Sequence, residues 1–592
     1  MRPAVVLGRD LRMQLLRRRM KMYGPRRRAL ASALACGAAT VVACSFSTPS
    51  PSGSTGPAIG TGGHGGSSST VTVQPCSGNK CVDFPSAPIV TGGAPSNAAT
   101  MFGGTGSAAP PCLTEPEDGS LFPNNWLRPR VKVSAPGATL LEIRFHAAME
   151  ANDLVVYTAQ DSWAMDKTIW RALASHVVDQ SIGVSVRALG PSGLTAAATA
   201  SFVIAPVQAG GQMVYWALRG FDASNPDNEE LFGFAVGDET VGSVLKVAQV
   251  QQTSSGVSVG CIGCHTATPD GSYVGFTGNY PWPNALASVE GGNSGAMPPF
   301  LGGAGISTLT QDWHGIITFS GKHWTAGDHI AITSQSTQAV DPNANLVWME
   351  IDSGLSGTLA RRGDPAGAAA PSFSHDGTRV VYTSTNANQD GRMGVGTADL
   401  YTIPYGDRAG GAATPVSGAA DPSYAEYYPA FSPDDHLIAF NRLPQSDASV
   451  TPTGAPYDGG MYLNPAAEIW VVPSDGGQAL RLRANDSPAC TPPVKPNTRV
   501  YPNKTGWDNS WAKWSPEVGA AGDSQYYWLI FSSYRYDISP PRGQLYMTAV
   551  VVSEVRIDTY PAIYLWNQDL TTSNHTPAWD AFKIPPVGLI RY

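Results

Sequence analysis

The chain has 592 residues, eight cysteines and a formal net charge of −8. Charged residues make up 14% of it, against ~25% in an average domain, while Gly (64) and Pro (48) are abundant. This composition excludes a coiled coil and speaks against a helical bundle; turn-dense β-structure fits it.

The charge is unevenly spread. Residues 1–43 hold ten Lys/Arg and a single acid, Asp10, so the remainder carries 28 basic against 45 acidic residues, a net of −17. An acidic body repels phosphate backbones, which argues against nucleic-acid binding. Arg26–Arg28 precede an apolar run from Ala29 to Ala43. The run is too short to span a bilayer and has the shape of a signal-peptide core. It ends Val41-Val42-Ala43-Cys44. An aliphatic residue at −3 and a small residue before Cys resemble the bacterial lipobox. That resemblance implies cleavage before Cys44, a lipid on Cys44, and an outer-membrane lipoprotein facing the periplasm or the cell surface. Residues 1–43 are then a signal peptide. Residues 44–111, rich in Ser, Thr, Pro and Gly, read as a tether, because such a segment buries too little surface to fold. Cys76 and Cys81 lie within it, and an exported chain is expected to oxidise so local a pair. Cys112 and Cys490 are left over, and spacing does not settle whether they pair.

Residues 112–206 carry short apolar or alternating runs (VKVSA, LLEIRFHA, DLVVYTA, IGVSVRAL, ATASFVIA) between Pro, Gly and Asp turns. This pattern predicts an immunoglobulin- or fibronectin-like β-sandwich. One helical segment is expected around Asp166–His176. His146 and His176 read as structural histidines.

Residues 207–592 hold a degenerate repeat. Pro371-Ser-Phe-Ser-His-Asp-Gly and Pro429-Ala-Phe-Ser-Pro-Asp-Asp each run into an apolar strand. Ala267-Thr-Pro-Asp-Gly, Ala512-Lys-Trp-Ser-Pro-Glu and a truncated Pro577-Ala-Trp follow the same plan. The repeat resembles that of TolB-type (WD40-like) β-propellers. That implies an all-β chain, with six or seven blades over this region at ~50–60 residues each.

One motif carries chemistry. Cys261-Ile-Gly-Cys264-His265 is C-x-x-C-H, the attachment pattern of c-type haem, inside a segment of about 255–300. Two thiols at this spacing reach the two vinyl groups of a haem, and the next residue supplies the iron's proximal nitrogen. Gly295-Ala-Met297-Pro resembles the distal-methionine loop of small bacterial cytochromes c, so Met297 is a candidate second iron ligand. His314, His323 and His329 compete with it. The alternatives are a disulfide between Cys261 and Cys264, with His265 incidental, or zinc, for which no second ligand pair stands in the sequence. Asn386-Ala-Asn-Gln-Asp-Gly391 has part of a calcium-loop spacing without the late Glu, a weak pointer to calcium. No G-x-S-x-G elbow, P-loop or HExxH is present, so an electron carrier or binding protein is expected rather than a hydrolase. Two classes remain. One is a lipid-anchored haem c propeller that passes electrons to a protein partner. The other is a non-redox scaffold that binds a surface ligand.

Overall fold

The computed structural model describes residues 76–584, except 220–227, 251–260, 280, 339–340, 342, 387–396, 449–463, 488–489, 492–505, 537 and 539–541. The signal segment, Cys44 and most of the calcium-like stretch after Asn386 lie outside the described residues. No described helix is long and apolar enough to cross a membrane.

The N-terminal part is a β-sandwich. A seven-stranded sheet holds Ile89–Thr91, Leu154–Thr158, Leu140–Ala147, Ser181–Gly190, Ala198–Ile204 and Ser120–Phe122 in that spatial order, with Gly193–Leu194 paired to the fourth. A three-stranded sheet of Cys112–Glu115, Arg130–Ser134 and Ser162–Ala164 accompanies it. Ser181–Gly190 alternates buried and half-buried side chains, because one face of the strand meets the core. Ile89–Thr91 pairs in parallel with Val156–Thr158, so the sheet reaches upstream of residue 112, where the sequence placed its start. A disulfide joins Cys76 to Cys81, and Cys81 is buried. The expected helix spans Lys167–His176, and the Asp166 carboxylate caps it by accepting from the Thr168 amide at 2.7 Å.

The C-terminal part is a six-bladed β-propeller among the described residues. Blade 1 runs outward from Ser573–Asp580 through Gln212–Leu218 and Glu229–Ala235 to Gly242–Lys246. The last strand of the chain thus supplies the inner strand of the first blade and closes the ring. Blade 2 is Thr266–Ala267, Tyr273–Thr277 and Asn284–Ser288; blade 3 begins with Thr318–Phe319, blade 4 with Gly367–Phe373, blade 5 with Tyr424–Phe431 and blade 6 with Ser510–Trp514.

The repeat motif performs one physical job in each copy. Thr268 Oγ1 donates to Asp270 Oδ1 at 2.6 Å, Ser374 Oγ to Asp376 Oδ1 at 2.7 Å and Ser432 Oγ to Asp434 Oδ1 at 2.6 Å. The Asp then accepts from a turn amide two residues on, at Ser272, Thr378 or His436. This fixes the hairpin between inner and second strand.

The two parts share one core. Phe122, Trp126 and Val207 of the sandwich side cluster with Trp528, Met547 and Trp579 of blades 6 and 1. A second disulfide, Cys112–Cys490, ties the three-stranded sheet to the propeller chain. The sandwich is therefore docked on the propeller, not strung beside it.

Candidate functional site

The C-x-x-C-H motif falls in register with the propeller repeat. Three residues before the anchor of each inner strand (Ala267, Phe319, Phe373, Phe431, Trp514 and Trp579) stand Cys264, Ile316, Ala370, Tyr428, Trp511 and Thr576. Ile316, Ala370, Tyr428 and Trp511 form one buried cluster, and Cys264 packs against it. The conformation repeats as well. Cys264, Ala370, Tyr428, Trp511 and Thr576 have φ between 43° and 63°. The inner strands of blades 4, 5 and 6 slip register at this point. Blades 4, 5 and 6 thus bulge at one level of the repeat, and blade 2 presents a cysteine at the equivalent position.

The rest of the motif faces the joint between blades 1 and 2. Cys261 and Ile262 are buried among Val214, Trp216, Val244 and Phe582. Gly263 lies so close to Trp216 that a Cβ would stand 3.2 Å from its ring. Cys264 carries no disulfide, so the two sulfurs are not bonded to each other.

His265 is 1% exposed. Its Nε2 donates to the Val214 carbonyl at 3.2 Å. Val214 is where blade 1 breaks register with its inner strand. Burial pushes His265 down to about 4, so the ring is neutral at pH 7. Its Nδ1 is buried and has no partner.

The surroundings are unusually rich in buried ionisable groups. His575 lies opposite Trp216 in the strand register, with ring centroids 4.9 Å apart. Burial, and secondarily the charge of His265, push it down to about 3. Burial lowers Lys513 to about 8 while Asp580 and Cys264 pull the other way. Asp580 is raised to about 6, chiefly by burial. Sequence reasoning missed His575, Lys513 and Asp580. Their only signal was their place within four residues of a repeat anchor, Lys513 beside Trp514 and Asp580 beside Trp579, which becomes meaningful once the blades are closed into a ring.

The other sequence candidates sit elsewhere. Met297 is 38% exposed. Ala296 accepts from the Ser288 amide at 2.7 Å, which puts this loop beyond the third strand of blade 2. It is therefore at least two strand spacings, roughly 10 Å, outward from the inner strand that carries His265. His314 Nδ1 donates to the Leu309 carbonyl. His323 is held between Asp328 and the Gly377 carbonyl, and His329 by Asp352.

A metal-ligating histidine normally fixes one ring nitrogen on a main-chain carbonyl or carboxylate and offers the other to the metal. His265 has that division, with Cys264 adjacent in sequence and Cys261 four residues before it, each packed against an apolar cluster; the donor types are those of a c-type haem. As folded, the offered nitrogen is Nδ1, and haem attachment needs Cys261 as a thiol. Two metal-sized groupings occur among the described residues, Cys76/Cys81/His176 and Cys81/Asp83/Glu150. In both, the Cys76–Cys81 disulfide removes the thiolate a metal would need.

No family model and no curated protein matches the chain. Solved structures that are similar include a TolB protein from Agrobacterium tumefaciens, with 15% identity, a TM-score of 0.31 and 60% of this chain against 90% of that one. A nidogen/laminin complex gives 9%, 0.32, and 62% against 98%. Hydrazine synthase from Kuenenia stuttgartiensis gives 12%, 0.29, and 52% against 74%. The class of protein is defined by the chain's own geometry: a β-sandwich docked on a six-bladed propeller.

Proposed function

We propose that this is an exported, lipid-anchored propeller protein that carries one covalent haem c on the inner strand of blade 2 and serves in electron transfer with a protein partner. The observation that carries the reading is His265: fully buried beside Cys261 and Cys264, with one nitrogen on Val214 and the other without a partner. Cys261 and Cys264 would hold the haem by thioether bonds and His265 would ligate its iron. When bound, the haem supplies a reversible one-electron couple.

The chain's own residues then have definite tasks. Trp216 and the ring of Ile316, Tyr428 and Trp511 exclude water from the motif. The neutral state of His265 keeps its nitrogen available as a lone-pair donor above about pH 4. The acidic body favours a basic partner, with an association rate that falls as salt rises.

A second reading is favoured by the burial of Cys261 in the joint of blades 1 and 2: a non-redox binding scaffold in which that sulfur is structural. The decisive experiment is a reduced-minus-oxidised visible spectrum, with mass spectrometry, of the protein made in a host able to attach haem c. A haem c spectrum with a covalent adduct supports the electron-transfer reading. An adduct-free chain overturns it in favour of the scaffold.

A further inference from the structure

A cleft lies where the sandwich meets blade 6, lined by none of the residues of the cysteine motif. Its volume is about 470 Å3, within the ~300–1,000 Å3 usual for small-molecule sites, which prefer domain interfaces. The Cys112–Cys490 disulfide stands at its edge and bridges the two walls. The opening is thereby held before any ligand arrives, which lowers the ordering cost of binding.

One wall is aromatic. Tyr536 stacks on Tyr564 with ring centroids 4.4 Å apart and planes 25° apart. Tyr564 also carries the Arg130 guanidinium over its ring at 5.0 Å and is nearly buried. Tyr536 remains half-exposed, braced from behind by this stack. The rest of the lining is polar. Glu115 is bound by Arg130 at 2.6 Å, and Asp161 by Lys132 at 2.7 Å, while Arg535 gives its guanidinium to Ser533, Ala484 and Asn509. A charged ligand would have to break one of these sets of bonds to gain a partner. A neutral ligand with many hydroxyls can accept from Lys132 and donate to Glu115 and Asp161 without doing so. Glu117, also on the cleft, is raised to about 7 by burial, so near neutrality it is in part a neutral donor.

An aromatic plate in a cleft also lined by paired donors and acceptors is what a sugar ring needs, with its apolar C–H face and its rim of hydroxyls. We infer that the sandwich–propeller cleft is a binding site for a neutral oligosaccharide, which stacks on Tyr536 and hydrogen-bonds to Lys132 and Glu115. The site is independent of the haem reading.

The test is isothermal titration of the full chain with cellotriose, chitotriose, maltotriose and xylotriose. Saturable binding of at least one is expected. Tyr536→Ala should weaken it at least tenfold, Tyr536→Phe should retain it, and Cys264→Ser should leave it unchanged. Should Tyr536→Ala fail to fold by circular dichroism, Lys132→Gln reads the polar lining; its side chain is 30% exposed, and a loss of three- to tenfold is expected. Absence of saturable binding to all four sugars, or wild-type affinity in a folded Tyr536→Ala and in Lys132→Gln, overturns the proposal.

Discussion

His265 and Val214 are joined across the joint of blades 1 and 2, the ring nitrogen of one meeting at 3.2 Å the main-chain carbonyl of the other, at the residue where blade 1 slips register. A bulge leaves a carbonyl outside the strand ladder, and a buried carbonyl without a partner costs about 1–3 kcal/mol. The histidine therefore has a structural task whatever else it does. His265→Ala is expected to lower the unfolding free energy by about 2–4 kcal/mol, from the orphaned carbonyl plus the vacated volume. His265→Gln should recover part of it. Urea denaturation of the two variants decides; equal losses would show that the hydrogen bond is not what the ring contributes.

The hairpin turns provide a second test. Gly271 has φ 70° and lies against blade 1, where an added Cβ would sit 1.7 Å from the Ala581 carbonyl oxygen. Gly363 also has positive φ, 98°, but nothing stands within 4 Å. Gly363→Ala should cost about 1 kcal/mol from backbone strain alone. Gly271→Ala should cost at least about 3 kcal/mol, since the backbone itself must move. Similar melting temperatures for the two variants would contradict the close contact of blades 1 and 2.

His314 yields a pH prediction. It is 2% exposed, and burial pushes it down to about 4, with the Leu309 carbonyl opposing. Its folded value lies below the ordinary one near 6.5, so the unfolded chain binds the extra proton first. Stability from this residue is present above about pH 6.5 and is lost as pH falls toward 4. Several buried carboxyls, Asp580 among them, are shifted up and act in the opposite direction, so the wild-type curve alone does not isolate it. The comparison with His314→Gln does. From pH 7 to pH 5 the wild type should lose about 2 kcal/mol more than the variant, 1.36 kcal/mol per unit over the interval below 6.5. Parallel curves would show that the ring is not held neutral.

Much of this architecture was legible in the chain. The Ser/Thr-x-Asp turns at Thr268, Ser374 and Ser432 marked the repeat whose resemblance to TolB-type propellers implied the fold, and each pair caps a tight hairpin. The alternation around Ser181–Gly190 gave the sandwich for the same local reason. The start of the sandwich was not legible: Ile89–Thr91 is a three-residue edge strand inside Gly/Pro-rich sequence, and only its pairing with Val156–Thr158 makes it a strand. The shared core was also hidden, since Trp528 and Met547 read as ordinary blade residues until the sandwich packs on them. At the site, the spacing of Cys261, Cys264 and His265 was visible. That Cys264 occupies the same repeat position as Ala370, Tyr428 and Trp511 was obscured, because Ala267 replaces the aromatic anchor of those blades. Local resemblance brought Met297 forward, whereas the ring closure brings His575 to the motif instead.

The disulfide between Cys112 and Cys490 spans a sequence separation of 378 residues. Long loops lose most unfolded-state entropy when cross-linked, so removing the bond by Cys490→Ser should cost about 2–5 kcal/mol. The shared core of Trp126 and Trp579, with ring centroids 5.6 Å apart, should nevertheless keep the sandwich docked. Small-angle scattering should therefore show an unchanged radius of gyration while the denaturation midpoint falls. An expanded particle would mean that the disulfide, and not the core, holds the two parts together.

Export and attachment make the last prediction. Membrane association is expected through the lipid on Cys44. Cys44→Ala should move the protein from the membrane to the soluble fraction, with its folded part unchanged. In the same strain, Cys264→Ser should abolish the normal two-bond haem adduct, because it removes one of the two thiols the attachment needs. Met297→Ala should leave the visible spectrum as it was, since its loop lies on the outer edge of blade 2, on the far side from His265. The two readouts are separable: fractionation reports the anchor, and mass with spectrum reports the haem. Membrane retention of Cys44→Ala would remove the lipoprotein reading alone. A spectral shift in Met297→Ala would show that the loop folds inward to the iron, and that the outer-edge position of Met297 is not the one the haem-bearing chain adopts.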